Sequence, residues 1–206
     1  MYPRNPVSET WMELAQVGSG VALVVFMWSH VMLVSSVLLG AETMNRLAAF
    51  LEDTKMAYLG SPIIVLLFLV HAVLAARKIP FQYAERKIAA ERLKELAHWD
   101  SITWGVQVVT GMAILVLGTV HLWVILTDFP IRAEKSGARV HGVYLWFYLP
   151  LLLAIELHAS VGLYRAVVKW GWVPRGTAHR MATLMTVFFL GLGSLTLYTL
   201  WRVGAA

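Results

Sequence analysis

Five long apolar runs, divided by short stretches of charge, proline and glycine, organise this chain of 206 residues. A hydrocarbon core of ~30 Å takes ~20 apolar residues per helix. Segments at about 14–39, 60–76, 102–127, 143–168 and 181–201 meet that demand. They predict an all-α bundle of five transmembrane helices, one domain covering 1–206. The first, third and fourth runs are long enough to tilt. Gly40 follows the first, and Ser61-Pro62 is expected to open the second, where a missing N–H costs nothing. Pro80 follows the second run, Asp100 stands where a cap would start the third, and Pro130 follows the third.

Composition agrees with the pattern. Apolar residues make up 59% and charged residues 14%, with a mean hydropathy of +0.67, outside the soluble globular mix. The chain has no cysteine, so it holds no disulfide and offers no thiolate to an iron–sulfur cluster. Residues Met1 to Glu13, with Pro3, Pro6, Glu9 and Glu13, do not read as a cleaved leader.

Lys and Arg fall unevenly around the spans. Arg4, Arg77, Lys78, Arg86, Lys87, Arg92, Lys94, Arg165, Lys169, Arg175 and Arg180 lie on one side; Arg46, Lys55, Arg132, Lys135, Arg139 and Arg202 lie on the other. The richer side is expected in the cytoplasm. That puts the N-terminus inside and makes the chain a multi-pass membrane protein. Its partners are then lipid and other membrane-associated proteins, with no nucleic acid. The Lys78 to Trp99 stretch reads as a short amphipathic helix with Ile88, Leu93 and Leu96 on one side. It suits either a docking surface or a solvated connection.

Four of the spans each carry one histidine: His30, His71, His121 and His158. Ionisable groups at membrane depth are costly and mark functional sites. At 1.5 Å of rise per residue, His30 and His121 lie ~14 and ~9 Å from the outer face, and His71 and His158 ~17 and ~22 Å. Depth therefore pairs His30 with His121 and His71 with His158, each pair joining two helices. Two bis-histidine haems would need this constellation, whereas zinc needs its ligands converging at one depth. Two imidazoles per iron leave no open coordination position, which favours electron transfer. Small residues stand nearby: Ala154 and Gly162 flank His158, Ala75 lies at i+4 from His71, and Gly111 and Gly118 are expected near the His121 face. His98, His141 and His179 read as interfacial or loop residues, with His98 also placed to meet a haem propionate or a partner.

Two carboxylates stand out. Glu156 is mid-membrane and ~200° around the helix from His158, so it faces a neighbouring helix or an internal cavity. Glu52, between the first two spans, reads by itself as a solvated loop carboxylate.

Several strings resemble one family: Ser29-His30 with Val34 to Gly40, His71-Ala72 with Arg77-Lys78, Gly118 to Leu122 and, most specifically, Glu156 to Trp172. They resemble the di-haem cytochrome b subunit, the membrane anchor, of quinol:fumarate reductases and related succinate:quinone oxidoreductases, over essentially the whole chain. The resemblance implies haem b ligation by His30 and His121 outside and by His71 and His158 inside. It implies that Gln16, Trp104 and Lys169 lie near the inner haem's propionates; Val17 stands where the family has a serine. Glu52, 22 residues after His30, matches a proton acceptor from quinol, and Glu156 a transmembrane proton relay. The implied activity is menaquinol oxidation in a bacterial inner membrane, with electrons crossing two b haems to a cytoplasmic iron–sulfur subunit. A flavoprotein subunit beyond it reduces fumarate, and the assembly leaves room for a dimer of complexes. The same subunit in a succinate dehydrogenase would run in reverse. A different class, a haem-free proton- or metal-translocating membrane protein, would use the same histidines and Glu156.

Overall fold

The structure, a computed structural model, describes residues 6–79, 82, 87–88, 91 and 99–206. Most of the Lys78 to Trp99 stretch, with Leu93, Leu96 and His98, lies outside the described residues, as does the Asp100 side chain.

The elements are α1 (Pro6–Val34) with a 3-10 extension (Ser35–Leu39), α2 (Ala41–Asp53), α3 (Met56–Ala76), α4 (Trp99–Thr127), α5 (Ala133–Arg139), a π-helical turn (Val140–Tyr144), α6 (Leu145–Lys169) and α7 (Arg175–Gly204). No strand occurs among the described residues. Five runs are long and apolar enough to cross a bilayer: Val7–Leu39, Met56–Ala76, Ser101–Thr127, Ala133–Lys169 and Arg175–Gly204. The protein is an all-α, five-span bundle.

Two starts differ from the sequence expectation. Pro62 does not open the second span. Thr54 closes α2 by returning its hydroxyl to the Phe50 carbonyl at 2.6 Å, and Lys55 turns the chain at φ 63°. Helix α3 then begins at Met56, with Leu59 N–H donating to the Lys55 carbonyl at 3.0 Å. Pro62 is thus inside the helix. The fourth span also starts early. Helix α5 is polar enough to read as a loop, yet it continues into α6 through a bend at Gly142 (ψ −134°).

Packing explains why α5 is helical. A Cβ on Gly137 would come within 2.8 Å of the Gly204 backbone nitrogen and 2.9 Å of the Leu200 carbonyl oxygen. The backbones of α5 and α7 touch there, as small residues allow between membrane helices. Val37, Met44, Ala133, Val140 and Leu200 form a buried cluster at this end of the bundle.

In the membrane part, α1 packs on α3 and α4 on α6, while contact between these two hairpin-like pairs is sparse. Helix α7 lies against α6. Two tight helix pairs with little direct contact between them leave the bundle centre to side chains, and the four histidines stand there.

Candidate cofactor site

The structure brings together the members of each depth pair. His30 of α1 faces His121 of α4 with ring centroids 6.1 Å apart and ring planes at 67°. His71 of α3 faces His158 of α6 at 6.3 Å and 88°. Each pair crosses from one helix pair to the other.

These separations fit one metal ion per pair. A metal–imidazole nitrogen bond is ~2 Å, and about 1 Å more separates that nitrogen from its ring centre. Two such arms end to end come to about 6 Å. Among the described residues no three His, Cys, Asp or Glu side chains converge on one point. The donor set is imidazoles by twos.

The His71/His158 pair is oriented by backbone carbonyls. His71 Nδ1–H donates to the Gln16 carbonyl at 3.1 Å, and His158 Nδ1–H to the Gln107 carbonyl at 3.1 Å. With Nδ1 protonated, Nε2 keeps its lone pair for a metal, which is how ligating histidines are usually held. Glycines make room: a Cβ on Gly20 would meet His71 Cε1 at 2.9 Å, and one on Gly111 would meet His158 Cε1 at 3.0 Å. The sequence expectation for Gly111 is corrected here, because it serves His158 and not His121. Gly118 instead packs against Ile114 and Phe68. On a helix apolar all round, spacing alone does not say which neighbour a glycine meets.

Unsatisfied polar atoms lie beside both pairs, with two more on Arg77 and Arg139. Among the described residues, Gln16 Oε1 and Gln107 Oε1 are buried without hydrogen-bond partners, as is His121 Nδ1. The Gln107 amide nitrogen sits 3.2 Å from His158 Nε2, so this flexible side chain must swing aside for an iron to bind. The His30/His121 pair is lined by rings, with Phe26 stacked on His30 at 5.7 Å and Tyr148 edge-on to His121 at 5.7 Å.

Near the start of α1, Lys169 pairs with Glu13, one turn before Gln16, and Lys78 reaches the same carboxylate at 3.5 Å. Trp104 is half-buried in the first turns of α4. Gln16, Trp104 and Lys169 thus lie toward one end of the bundle. His141 Nδ1–H donates to the Trp201 carbonyl at 3.2 Å, and His179 meets the Tyr164 ring; neither stands with the four.

Glu156 is only 1% exposed. Ser160 Oγ–H donates to its Oε1 at 2.6 Å and Trp28 Nε1–H to its Oε2 at 3.4 Å. Its neighbour across the helix contact is α1, where Trp28 also stacks on Phe189 of α7 at 5.0 Å. Glu52 is not a solvated loop carboxylate. It lies in the last turn of α2 with its side chain 11% exposed, 3.2 Å from Arg132 Nη1, and accepts the Ile131 N–H at 3.0 Å. Segments distant in sequence fold over it, which local polarity does not reveal. Sequence reasoning also missed Ser19, Gly20, Gln107 and Thr110, since a hydroxyl or amide in an apolar helix looks like ordinary backbone bonding.

A multi-span helical bundle that faces imidazoles in pairs across its centre has the architecture of a membrane-bound b-type cytochrome. The model of the family described as "Succinate dehydrogenase/Fumarate reductase transmembrane subunit" matches residues 82–197, and the chain belongs to that family. It is a cytochrome b membrane anchor of the fumarate reductase or succinate dehydrogenase type. It is 35% identical to the fumarate reductase cytochrome b subunit of Helicobacter pylori strain J99, covering 90% of this chain and 78% of the relative. Identity to the subunit of the same name from Wolinella succinogenes is also 35%, over 94% and 81%. A succinate dehydrogenase cytochrome b558 subunit of Bacillus subtilis is 24% identical over 82% and 83%.

Proposed function

We propose that this protein is the quinol-oxidising membrane subunit of a fumarate reductase, holding two b haems on His30/His121 and His71/His158. The observation that carries the reading is the pair of cross-bundle imidazole contacts at 6.1 and 6.3 Å, with each inner Nδ1 on a backbone carbonyl. Haem iron bound at both pairs would supply one-electron carriers linking the two faces of the membrane.

The chain's own groups have distinct tasks. Glu52 takes the protons that a quinol, menaquinol in this reading, releases near the outer pair. Arg132 and the Ile131 N–H hold the carboxylate in place, and a positioned carboxylate is a competent base. Gln16, Trp104 and Lys169 meet carboxylate groups of the inner haem. The positively charged side lies in the cytoplasm, where an iron–sulfur subunit receives electrons and passes them to a flavoprotein subunit that reduces fumarate. The dicarboxylate does not bind this subunit.

Moving an electron inward against a negative interior costs ~2.3 kcal/mol per 100 mV. Glu156, buried and hydrogen-bonded on both oxygens, would carry a compensating proton across the same membrane. Succinate oxidation by the same assembly uses the same residues in the opposite direction, and the Bacillus subtilis relative bears the name of a succinate dehydrogenase subunit.

Spectroscopy of the purified subunit tests the reading. Two low-spin b-type haems per chain, one lost on replacing His71 by alanine and the other on replacing His30, are the expected result. Colourless protein from haem-replete cells would point instead to proton or metal translocation.

A further inference from the structure

Helices α1 and α4 carry the same chemistry at the same spacing. Gln16, Val17, Ser19, Gly20 and His30 recur 91 positions later as Gln107, Val108, Thr110, Gly111 and His121. Between them, Ala22 and Val25 recur as Ala113 and Val116. The structure gives the repeat a physical meaning. Each of these helices lends its own histidine to the outer pair and uses its earlier turns to grip the histidine of the helix beside it. Gln16, Ser19 and Gly20 surround His71; Gln107, Thr110 and Gly111 surround His158.

The hydroxyls are the informative members. Ser19 Oγ lies 3.2 Å from His71 Nδ1, and its own proton goes to the Gln16 carbonyl at 3.1 Å. Thr110 Oγ1 lies 3.2 Å from His158 Nδ1, and its proton goes to the Val106 carbonyl at 2.6 Å. A hydroxyl whose hydrogen is already engaged can only accept from the imidazole. Each inner Nδ1–H is therefore shared between a carbonyl and a hydroxyl oxygen. Both hydroxyl residues are buried, at 7% and 8% exposure, where such bonds are not traded for water. At the outer pair, His121 Nδ1 has no hydrogen-bond partner among the described residues.

We infer that Ser19 and Thr110 are matched positioning residues of the inner iron site, which fix the tautomer of His71 and His158 and tune the inner haem's reduction equilibrium independently of the outer one. The inference rests on the haem assignment above. Each accepting oxygen makes the imidazole a stronger donor toward the metal and so favours the oxidised iron. Its loss favours the reduced form.

The test is a redox titration of the whole complex carrying Ser19→Ala, Thr110→Val or both, with the inner haem identified as the component lost in His71→Ala. Each single change should leave two haems per chain and raise the inner haem's potential. The expected size is about fivefold in its reduction equilibrium, comparable to one hydrogen bond, or ~40 mV at roughly 59 mV per decade for one electron. The outer haem should titrate unchanged. Ser19→Thr and Thr110→Ser, which keep the hydroxyl, should restore the native value, and the inner haem's low-spin paramagnetic signal should shift only in the hydroxyl-free variants. Unchanged titrations, equal shifts of both haems, or failure of the hydroxyl-keeping variants to restore the native value would each overturn the inference. Absence of haem in the unaltered complex would instead overturn the cofactor reading beneath it.

Discussion

At the scale of single residues, Glu156 and Glu52 show how differently two carboxylates can be held. Glu156 accepts from Ser160 and Trp28 in the middle of the bundle, and a glutamine there keeps shape while losing the ability to pass a proton. Glu156→Gln should retain both haems and lower quinol-linked fumarate reduction at least tenfold. Turnover equal to the parent complex would refute the relay. Glu52→Gln preserves the acceptor for the Ile131 N–H but removes the base beside Arg132. A general base contributes on the order of 10²–10⁴ in rate, so kcat should drop about a hundredfold or more with haem spectra unchanged. Glu156 was legible in the sequence, since a charge inside an apolar run announces itself. The surroundings of Glu52 were not, because Ile131 and Arg132 come from 79 and 80 positions away.

At the scale of helices, close approach is decided by glycine. Gly20 and Gly111 each leave only a hydrogen's width beside an inner histidine ring. Gly20→Val should expel or distort the inner haem, read as loss or shift of one component in the visible spectrum while the other remains. Gly204 is a purely structural counterpart, since a Cβ there would collide with the Gly137 carbonyl oxygen. Gly204→Val should separate α5 from α7 and cost about 1–3 kcal/mol, as overpacking does; thermal unfolding of the complex measures it. The link between α4 and α5 adds a pH dependence. Asp128 is held below the usual carboxylate range by its hydrogen bond to Lys135 and by the charges of Lys135 and Arg139. A lowered native pKa means its contribution is full above the ordinary carboxyl value and fades as pH falls through the lowered one. Asp128→Asn should therefore be less stable than the parent near neutrality, with the difference vanishing in acid.

For the whole molecule, the number of spans, their rough limits and the depth of each histidine follow from sequence. A bilayer's thickness and a helix's rise turn residue counts into distances. Even the doubled Gln-Val-x-Ser/Thr-Gly pattern is written in the chain. Rotation about each helix axis is set by packing alone: Gly111 and Thr110 turn to His158, Gln16 lends its carbonyl to His71, and Glu156 meets Trp28. Depth is a one-dimensional quantity that counting residues delivers. Facing is not, because a helix immersed in lipid is apolar on every side and its sequence carries no polar stripe to reveal which neighbour each side meets.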